Sequence, residues 1–221
     1  MYDFSSSDLY ALLRSAKHHK LPKGQVLHIS SERMFLNMLA SGYVKRYLLT
    51  EDGQESIQVI FGPHDPFPLT PVFAAAVDLA IYKGDEEIYY EAMTDVELYS
   101  ISKAELIAAL GSNESLYKDL FYVAGQRLES NIQRLENNSL RAVHRRLADV
   151  LVYYAKRFGK QTPNGIAIQL PLTQQILANI LNVSRESVSI NMTHLQERGL
   201  VHTEPHHMIV VPDVVALHKA H

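Results

Sequence analysis

The first hundred residues alternate between short apolar runs and polar or turn-forming residues, which is typical of β-strands. A helical spacing of apolar residues over residues 8–19 precedes them and ends before Leu21. The Asp52-Gly53 dipeptide predicts a hairpin, because it supports the positive φ angles of such turns. Several short strands with few helices between them predict a small barrel or sandwich. The predicted strands cover residues 25–29, 34–39, 43–49, 56–61, 88–92 and 96–101.

A helical pattern replaces the strands after residue 102. It predicts a short helix over residues 103–110 and a much longer one over residues 114–137. Phe121, Leu128 and Leu135 recur every seven residues in the longer helix, as in a coiled-coil seam, although Asn131 and Asn138 make the seam partly polar. Two interpretations fit equally well: a long helix packed on its own barrel, or a helix that also forms a dimer. Another helix over residues 139–157 and a strand over residues 166–170 follow.

Residues 172–201 contain the signals of two short helices joined by a tight turn. Thr173 is placed to cap the first helix and Ser184 to cap the second. Ala178 is small where a crossing helix must approach, and Asn182 tolerates the left-handed conformation that the turn needs. This arrangement predicts a helix-turn-helix, with residues 184–198 as the recognition helix. Residues 199–212 predict a β-hairpin wing with its turn at residues 205–207.

The predicted recognition helix has one apolar face and one face suited to reading DNA. Val188, Met192 and Leu195 share the apolar face. Arginine can donate two hydrogen bonds to guanine, glutamate can accept one from cytosine, and an apolar side chain can meet the thymine methyl group. An ordinary pair of helices with a solvated polar face is the alternative, but it requires neither these caps nor this spacing. The other face carries Arg185, Glu186, Ser189, Ile190, Thr193 and Gln196.

Charge and composition support two halves with different partners. Residues 1–139 carry 12 basic and 19 acidic side chains (net −7), whereas residues 140–221 carry 9 and 5 (net +4), which makes the second half a candidate for binding nucleic acid. The chain has no Cys, which excludes disulfides, thiolate nucleophiles and Cys-ligated metal clusters. No apolar run approaches the roughly 18 residues needed to cross a membrane, and residues 1–5 lack the basic and apolar segments typical of a signal peptide. We therefore expect a cytoplasmic protein.

Residues 172–201, and above all Ser184-Arg185-Glu186-Ser187-Val188-Ser189, resemble the winged helix-turn-helix of the cyclic-AMP receptor protein/fumarate-nitrate regulator (CRP/FNR) family of bacterial transcription regulators. Residues 39–45, 51–55 and 92–97 resemble the sensor barrel of the same family. The resemblance implies an α+β fold and a homodimer that reads an inverted repeat and contacts RNA polymerase. It implies three parts: a double-stranded β-helix (jelly-roll, cyclic-nucleotide-binding-like) sensor domain over residues 1–112, a dimerisation helix over 113–138, and the DNA-binding domain over 139–221.

The same resemblance assigns roles to individual residues. It implies base contacts by the recognition helix and phosphate contacts near the two helix starts. Many family members carry an Arg where this chain has Ile190, so the target half-site need not match theirs. The implied base-contacting positions are Arg185, Glu186, Ser189 and Ile190, and the implied phosphate contacts are Thr173, Gln175 and Ser184.

Family members that bind cyclic AMP hold its phosphate with an Arg-containing cassette, which corresponds to residues 62–82 here. No Arg occurs between Arg46 and Arg127, so we expect an unidentified effector other than cyclic AMP, with an uncharged or apolar molecule preferred. Haem on an isolated His28 or His64, and metal at the His residues of the wing, are less favoured, so no cofactor is predicted. The candidate effector pocket comprises Gly62, Asp65, Phe67, Leu69, Asn131 and Ile132.

Two other classes of protein remain as alternatives. Small β-barrels also house metal-dependent enzymes, but these commonly use a His-x-His pair on a strand, and residues 1–139 contain none. A module whose winged helix binds protein is the other alternative, against which the exposed Arg185 and Glu186 argue. We therefore predict a DNA-binding protein and no enzyme.

Overall fold

The computed structural model describes residues 4–27, 35–70, 72, 88–140, 142–205 and 208–219, and it leaves the side chains of residues 133–140 undescribed. Four predicted features lie partly or wholly outside the described residues. They are the strands over residues 25–29 and 34–39, most of the cyclic-AMP cassette and the tip of the wing. The chain forms two compact units, which are described separately. Unit 1 comprises Met1–Gly53 and Gln58–Ser130, and unit 2 comprises Gln54–Ile57 and Asn131–His221.

The N-terminal part of the chain is a jelly roll built from two sheets around one core. The first sheet has the strand order β1-β8-β3-β6 and the second β2-β7-β4-β5. A single buried cluster draws on both sheets, with Leu39 and Leu98 from the first and Val44 and Tyr90 from the second. The strands are β1 Lys17–Leu21, β2 Val26–Leu27, β3 Phe35–Ser41, β4 Val44–Leu49, β5 Glu55–Phe61, β6 Pro66–Phe67, β7 Ile88–Ala92 and β8 Val96–Ser102.

The structure corrects the first predicted helix. Helix α1 spans Asp8–Arg14 rather than residues 8–19, and β1 follows at Lys17–Leu21. The strand pairs antiparallel with β8, with Lys17 opposite Ser100 and Leu21 opposite Val96. Pairing with a strand about eighty residues away, and burial of Leu21, override the local helical spacing. Strand β6 was not predicted, and the other described strands of this part match their predictions to within about two residues.

Two helices follow the jelly roll and pack on the outside of its first sheet. Helix α2 spans Lys103–Ser112 and starts with a capping box between Ser102 and Glu105. The long helix α3 spans Ser115–Leu140, close to its prediction. A second buried cluster joins them to α1 and β3, and includes Leu9, Leu36, Leu106 and Leu120. The Leu9 amide also donates to Asp119 Oδ2 at 3.0 Å, which fixes the start of α1 to α3.

Gly42 shows why the resemblance at residues 39–45 includes a glycine. It joins β3 to β4 with φ +81°, a conformation that favours glycine. A Cβ at this position would lie 2.3 Å from the Asp95 carbonyl oxygen, so no side chain fits without backbone movement.

Unit 2 holds the second half of the chain. Its elements are α4 Val143–Phe158, β9 Gly159–Thr162, β10 Gly165–Ile168, α5 Gln174–Leu181, α6 Arg185–Glu197, β11 His202–Glu204, β12 Met208–Val211 and α7 Val214–His218. The helix over 139–157 starts later than predicted, because α3 continues to Leu140. Strand β9, predicted as part of a loop, and helix α7 were missed. The four strands form one sheet in the order β11-β12-β10-β9.

Among the described helices, none combines the length and the apolarity that a membrane-spanning segment requires.

Candidate nucleic-acid interface

Helices α5 and α6 form the predicted helix-turn-helix, and the predicted caps hold it in place. Thr173 accepts a hydrogen bond from the Ile176 amide at 3.2 Å and begins α5. Asn182 ends α5 in the left-handed conformation, with φ 52°. Ser184 accepts from the Ser187 amide at 3.2 Å and begins α6. The two helices and the turn are therefore confirmed.

Burial separates the two faces of α6 as the sequence predicts. Val188, Met192 and Leu195 are at most 5% exposed. They pack in unit 2, where Leu177 and Ala178 of α5 are also buried. Arg146 of α4 donates to the carbonyl oxygen of Leu181, so a cation satisfies the C-terminal end of α5. These contacts hold α6 on a rigid support and leave its other face outward.

The outward face presents the residues that the resemblance assigns to bases. Arg185 and Glu186 are exposed, Ile190 is 62% exposed, and Ser189 is half-buried. Hydrogen bonds from its own backbone N–H and from Ser184 lower the pKa of Glu186 below its ordinary value. The carboxylate therefore stays ionised at neutral pH, the form that accepts a hydrogen bond from a cytosine amino group.

The candidate phosphate contacts lie at the two helix starts. The hydroxyl of Thr173 accepts a backbone hydrogen bond and keeps its own hydrogen for a phosphate oxygen. The hydroxyl of Ser184 accepts from the Ser187 amide and donates to the Glu186 carboxylate, so a phosphate at Ser184 would have to compete with Glu186 for that hydrogen. Gln175 is exposed, and its side-chain amide donates to Asn179 Oδ1 at 2.8 Å. The N-terminal ends of the helices add a favourable dipole for an anion.

A contact between the recognition helix and the wing completes this surface. Gln196 of α6 donates to Thr203 of the wing strand β11 at 3.1 Å. A groove of about 420 Å³ is lined by residues of α5, α6 and the wing, among them Thr173, Gln175 and Arg185. Gln196 was predicted only as part of the outer face. Its bond to the wing depends on a strand that the helix pattern could not locate.

Part of the predicted effector pocket is occupied by an ion pair. Asp65 accepts a hydrogen bond from the Gly62 amide at 2.7 Å. Arg127 of α3 lies 3.8 Å from the Asp65 carboxylate, and its guanidinium lies over the Phe61 ring at 5.0 Å. The cassette stretch, residues 62–82, contains no Arg, and the contribution of Arg127 was not predicted, because Arg127 lies more than sixty residues after Asp65 along the chain.

The remaining effector residues have separate surroundings. Phe67 is fully buried in the jelly-roll core and stacks on Phe61 and Tyr90. Leu69 packs partly buried against the other cluster, beneath α1 and α3. Asn131 and Ile132 lie exposed on α3. The assignment of an effector to these residues stays a prediction.

Residues 145–220 match the Crp-like helix-turn-helix domain family. The CRP-like cAMP-activated global transcriptional regulator of Mycobacterium tuberculosis (strain ATCC 25618 / H37Rv) is 25% identical over 201 residues, which cover 90% of this chain and 85% of the relative. The Anaerobic regulatory protein of Bacillus subtilis (strain 168) is 25% identical over 205 residues, which cover 90% and 82%.

Solved structures show the same fold along nearly the whole chain. FixK2 from Bradyrhizobium japonicum superposes with a TM-score of 0.75 at 18% identity, covering 92% of this chain and 96% of that one. A CooA mutant from Carboxydothermus hydrogenoformans gives a TM-score of 0.74 at 19% identity, covering 97% and 91%. The similarity therefore extends beyond the helix-turn-helix to the jelly roll and the long helix.

Proposed function

The chain belongs to the CRP/FNR family of transcription regulators, and from this premise we propose that it is a homodimer whose paired α6 helices read an inverted repeat in double-stranded DNA. The observation that carries the proposal is the outward face of α6, where Arg185, Glu186 and Ile190 are exposed on a helix held by caps and buried contacts. We further propose that it acts in the cytoplasm as a regulator that contacts RNA polymerase, and not as an enzyme.

Base reading by Arg185 is the first prediction. Replacing Arg185 by Ala is expected to weaken binding to the specific site by about 1–3 kcal/mol, because a bidentate contact to a base edge is lost. Binding to random DNA is expected to change little. A mobility-shift titration on the DNA upstream of its own gene and on a random duplex measures both.

Arg198→Ala is the matched control, since Arg198 is exposed at the C-terminal end of α6 and outside the predicted reading face. It removes the same charge and is expected to affect both duplexes equally. Equal losses on both duplexes for Arg185→Ala would mean that Arg185 contacts only phosphate.

The apolar face of α3 supports the homodimer. Tyr117, Phe121 and Leu128 share one side of the helix and are 51%, 78% and 61% exposed. Burying this stripe against the same stripe of a second chain removes apolar area from water. We propose that the dimer presents the two α6 helices to half-sites about 34–36 Å apart, one turn of the duplex.

We propose an effector other than cyclic AMP, although the M. tuberculosis relative is named as cAMP-activated. Among the described residues, Arg127 brings a cation to the candidate pocket, where it is paired with the Asp65 carboxylate at 3.8 Å. A phosphate would have to displace that carboxylate and leave it without its partner, at a cost in desolvation. The aromatic rings of Phe61 and Phe67 fill the core beside it.

Calorimetric titration with cyclic AMP is therefore expected to show no binding at millimolar ligand. Asp65→Asn is the informative variant, since it releases Arg127 from the carboxylate and is expected to permit weak binding. Micromolar binding by the unmodified chain that disappears in Arg127→Ala would contradict the prediction and place the phosphate on Arg127.

A further inference from the structure

A cavity of about 810 Å³ opens beside the edge strand β1 of the jelly roll. Its size falls within the range of small-molecule sites, which is about 300–1,000 Å³. It is lined by residues of α1, β1, β2, β3, β8 and α2, and none of the candidate effector residues is among them. The cavity is therefore separate from the Asp65–Arg127 ion pair.

The lining is predominantly apolar. Leu21 and Leu98 are buried and belong to the jelly-roll core, and Ile101 belongs to the cluster beneath α3. Phe35 is 43% exposed, a high value for a Phe ring. Leu12, Ala16 and Leu27 complete this part of the wall. Such a wall binds the apolar body of a ligand and does not select a polar one.

A polar row crosses the same cavity over three neighbouring strands. Lys17, Ser100 and Asn37 lie opposite one another on β1, β8 and β3. Ser100 donates to Asn37 Oδ1 at 2.6 Å, and the Asn37 amide donates to the carbonyl oxygens of Phe35 and Phe67. The donors of Ser100 and Asn37 are thus committed, so Lys17 is the group in this row that can donate to a ligand.

The basic side chains of β1 are unevenly paired. Lys20 is bound to Glu97 at 2.8 Å, and His18 lies 3.3 Å from the same carboxylate. Within the described part of the chain, the side chains of Lys17 and His19 have no hydrogen bond or ion pair. Both line the cavity.

One acidic side chain also lines the cavity and does not neutralise Lys17. Glu105 Oε2 accepts from the Ser102 amide at 2.8 Å and from the Ser102 hydroxyl at 2.5 Å. These bonds lower the pKa of Glu105 and keep its carboxylate at the start of α2. The cavity therefore combines an apolar wall with an unpaired cation at its edge.

We infer that this cavity binds an amphipathic organic anion, with its apolar body against Leu98, Leu21 and Phe35 and its carboxylate on Lys17. His19 adds a second positive charge when it is protonated. The inference concerns ligand binding by the jelly roll and goes beyond the proposed function, since DNA reading by α6 does not require it.

The position of the cavity also gives a bound ligand a connection to α3. Leu12 of α1 lines the cavity, and the start of α1 is bound to Asp119 of α3 through the Leu9 amide. Ile101 is part of the cluster that also contains Leu116 and Leu120 of α3. A ligand in the cavity thus contacts the packing that supports the proposed dimer helix.

Calorimetric titration of the full chain with octanoate and with octan-1-ol tests the inference, because the two probes share a chain length and differ in charge. Octanoate is expected to bind about tenfold more tightly than octan-1-ol, as loss of a charge-assisted hydrogen bond implies. Lys17→Glu is expected to remove that difference and to leave octan-1-ol binding unchanged. Lys23→Glu, an equally exposed lysine outside the cavity, is the matched control and should leave both affinities unchanged.

Lys17→Gln removes the charge without reversing it and covers the case in which Lys17→Glu does not fold. Equal affinities for the two probes, no octanoate binding, or equal losses in Lys17→Glu and Lys23→Glu would each overturn the inference. A mobility shift with no ligand present decides the proposed function independently, so failure of one leaves the other intact.

Discussion

Replacing Leu128 by Glu is expected to convert the proposed dimer into a monomer at micromolar concentration. Leu128 is 61% exposed on α3 and lies one heptad after Phe121, at the centre of the apolar stripe. In a two-fold symmetric interface each chain contributes one substituted residue, so two carboxylates lie close together in an apolar interface without a cation between them. The cost of burying unpaired charges is several kcal/mol, which raises the dissociation constant more than about hundredfold.

Sedimentation velocity over a range of concentrations measures this shift. Gln126→Glu is the matched control, because Gln126 is exposed on the other side of the same helix and the variant adds the same charge. It is expected to leave the dimer intact. Circular dichroism of both variants establishes that α3 still forms. A dimer that survives Leu128→Glu would show that this stripe is not the interface.

Replacing Phe67 by Ala is expected to destabilise the jelly roll by about 3–5 kcal/mol, the usual cost of truncating a fully buried Phe. Phe67 is 0% exposed, and its ring lies 4.9 Å from Phe61 and 5.7 Å from Tyr90, centroid to centroid. The stack lies at the centre of the core that both sheets share. Removing the Phe67 ring leaves a cavity, and two of the three stacking contacts are lost, since Phe61 and Tyr90 also stack on each other at 6.2 Å.

Chemical denaturation followed by near-ultraviolet circular dichroism measures the loss, since the chain has 12 Tyr and no Trp. Phe35→Ala is the control, because its ring is 43% exposed and its truncation is expected to cost about 1 kcal/mol or less. Similar losses in the two variants would mean that Phe67 is not packed as the structure has it.

The helix-turn-helix was predictable in detail because its signals are local. Thr173, Asn182 and Ser184 each act within four residues of their own position, as caps or as the turn. The alternation of buried and exposed positions along α6 then follows from helical geometry alone. No contact with a distant part of the chain is needed to place the residues that face outward.

The jelly roll was predictable only in part, because its decisive contacts join distant residues. Residues 17–19 were predicted as the end of a helix, yet pairing with β8 makes residues 17–21 a strand. Arg127 reaches Asp65 across more than sixty residues, so a search for a cation along the sequence near the cassette could not find it. Strand β9 and helix α7 were missed because such short elements carry too few residues for a periodic pattern.

The separation of the two faces of α6 has an evolutionary consequence. Val188, Met192 and Leu195 hold the helix in place, while Ile190 is 62% exposed and contributes little packing. Selection can therefore change Ile190 to alter the preferred operator without a penalty in folding. Duplicated copies of such a regulator are free to acquire separate sets of target genes by one or two substitutions on the outward face, and the scaffold beneath them need not change.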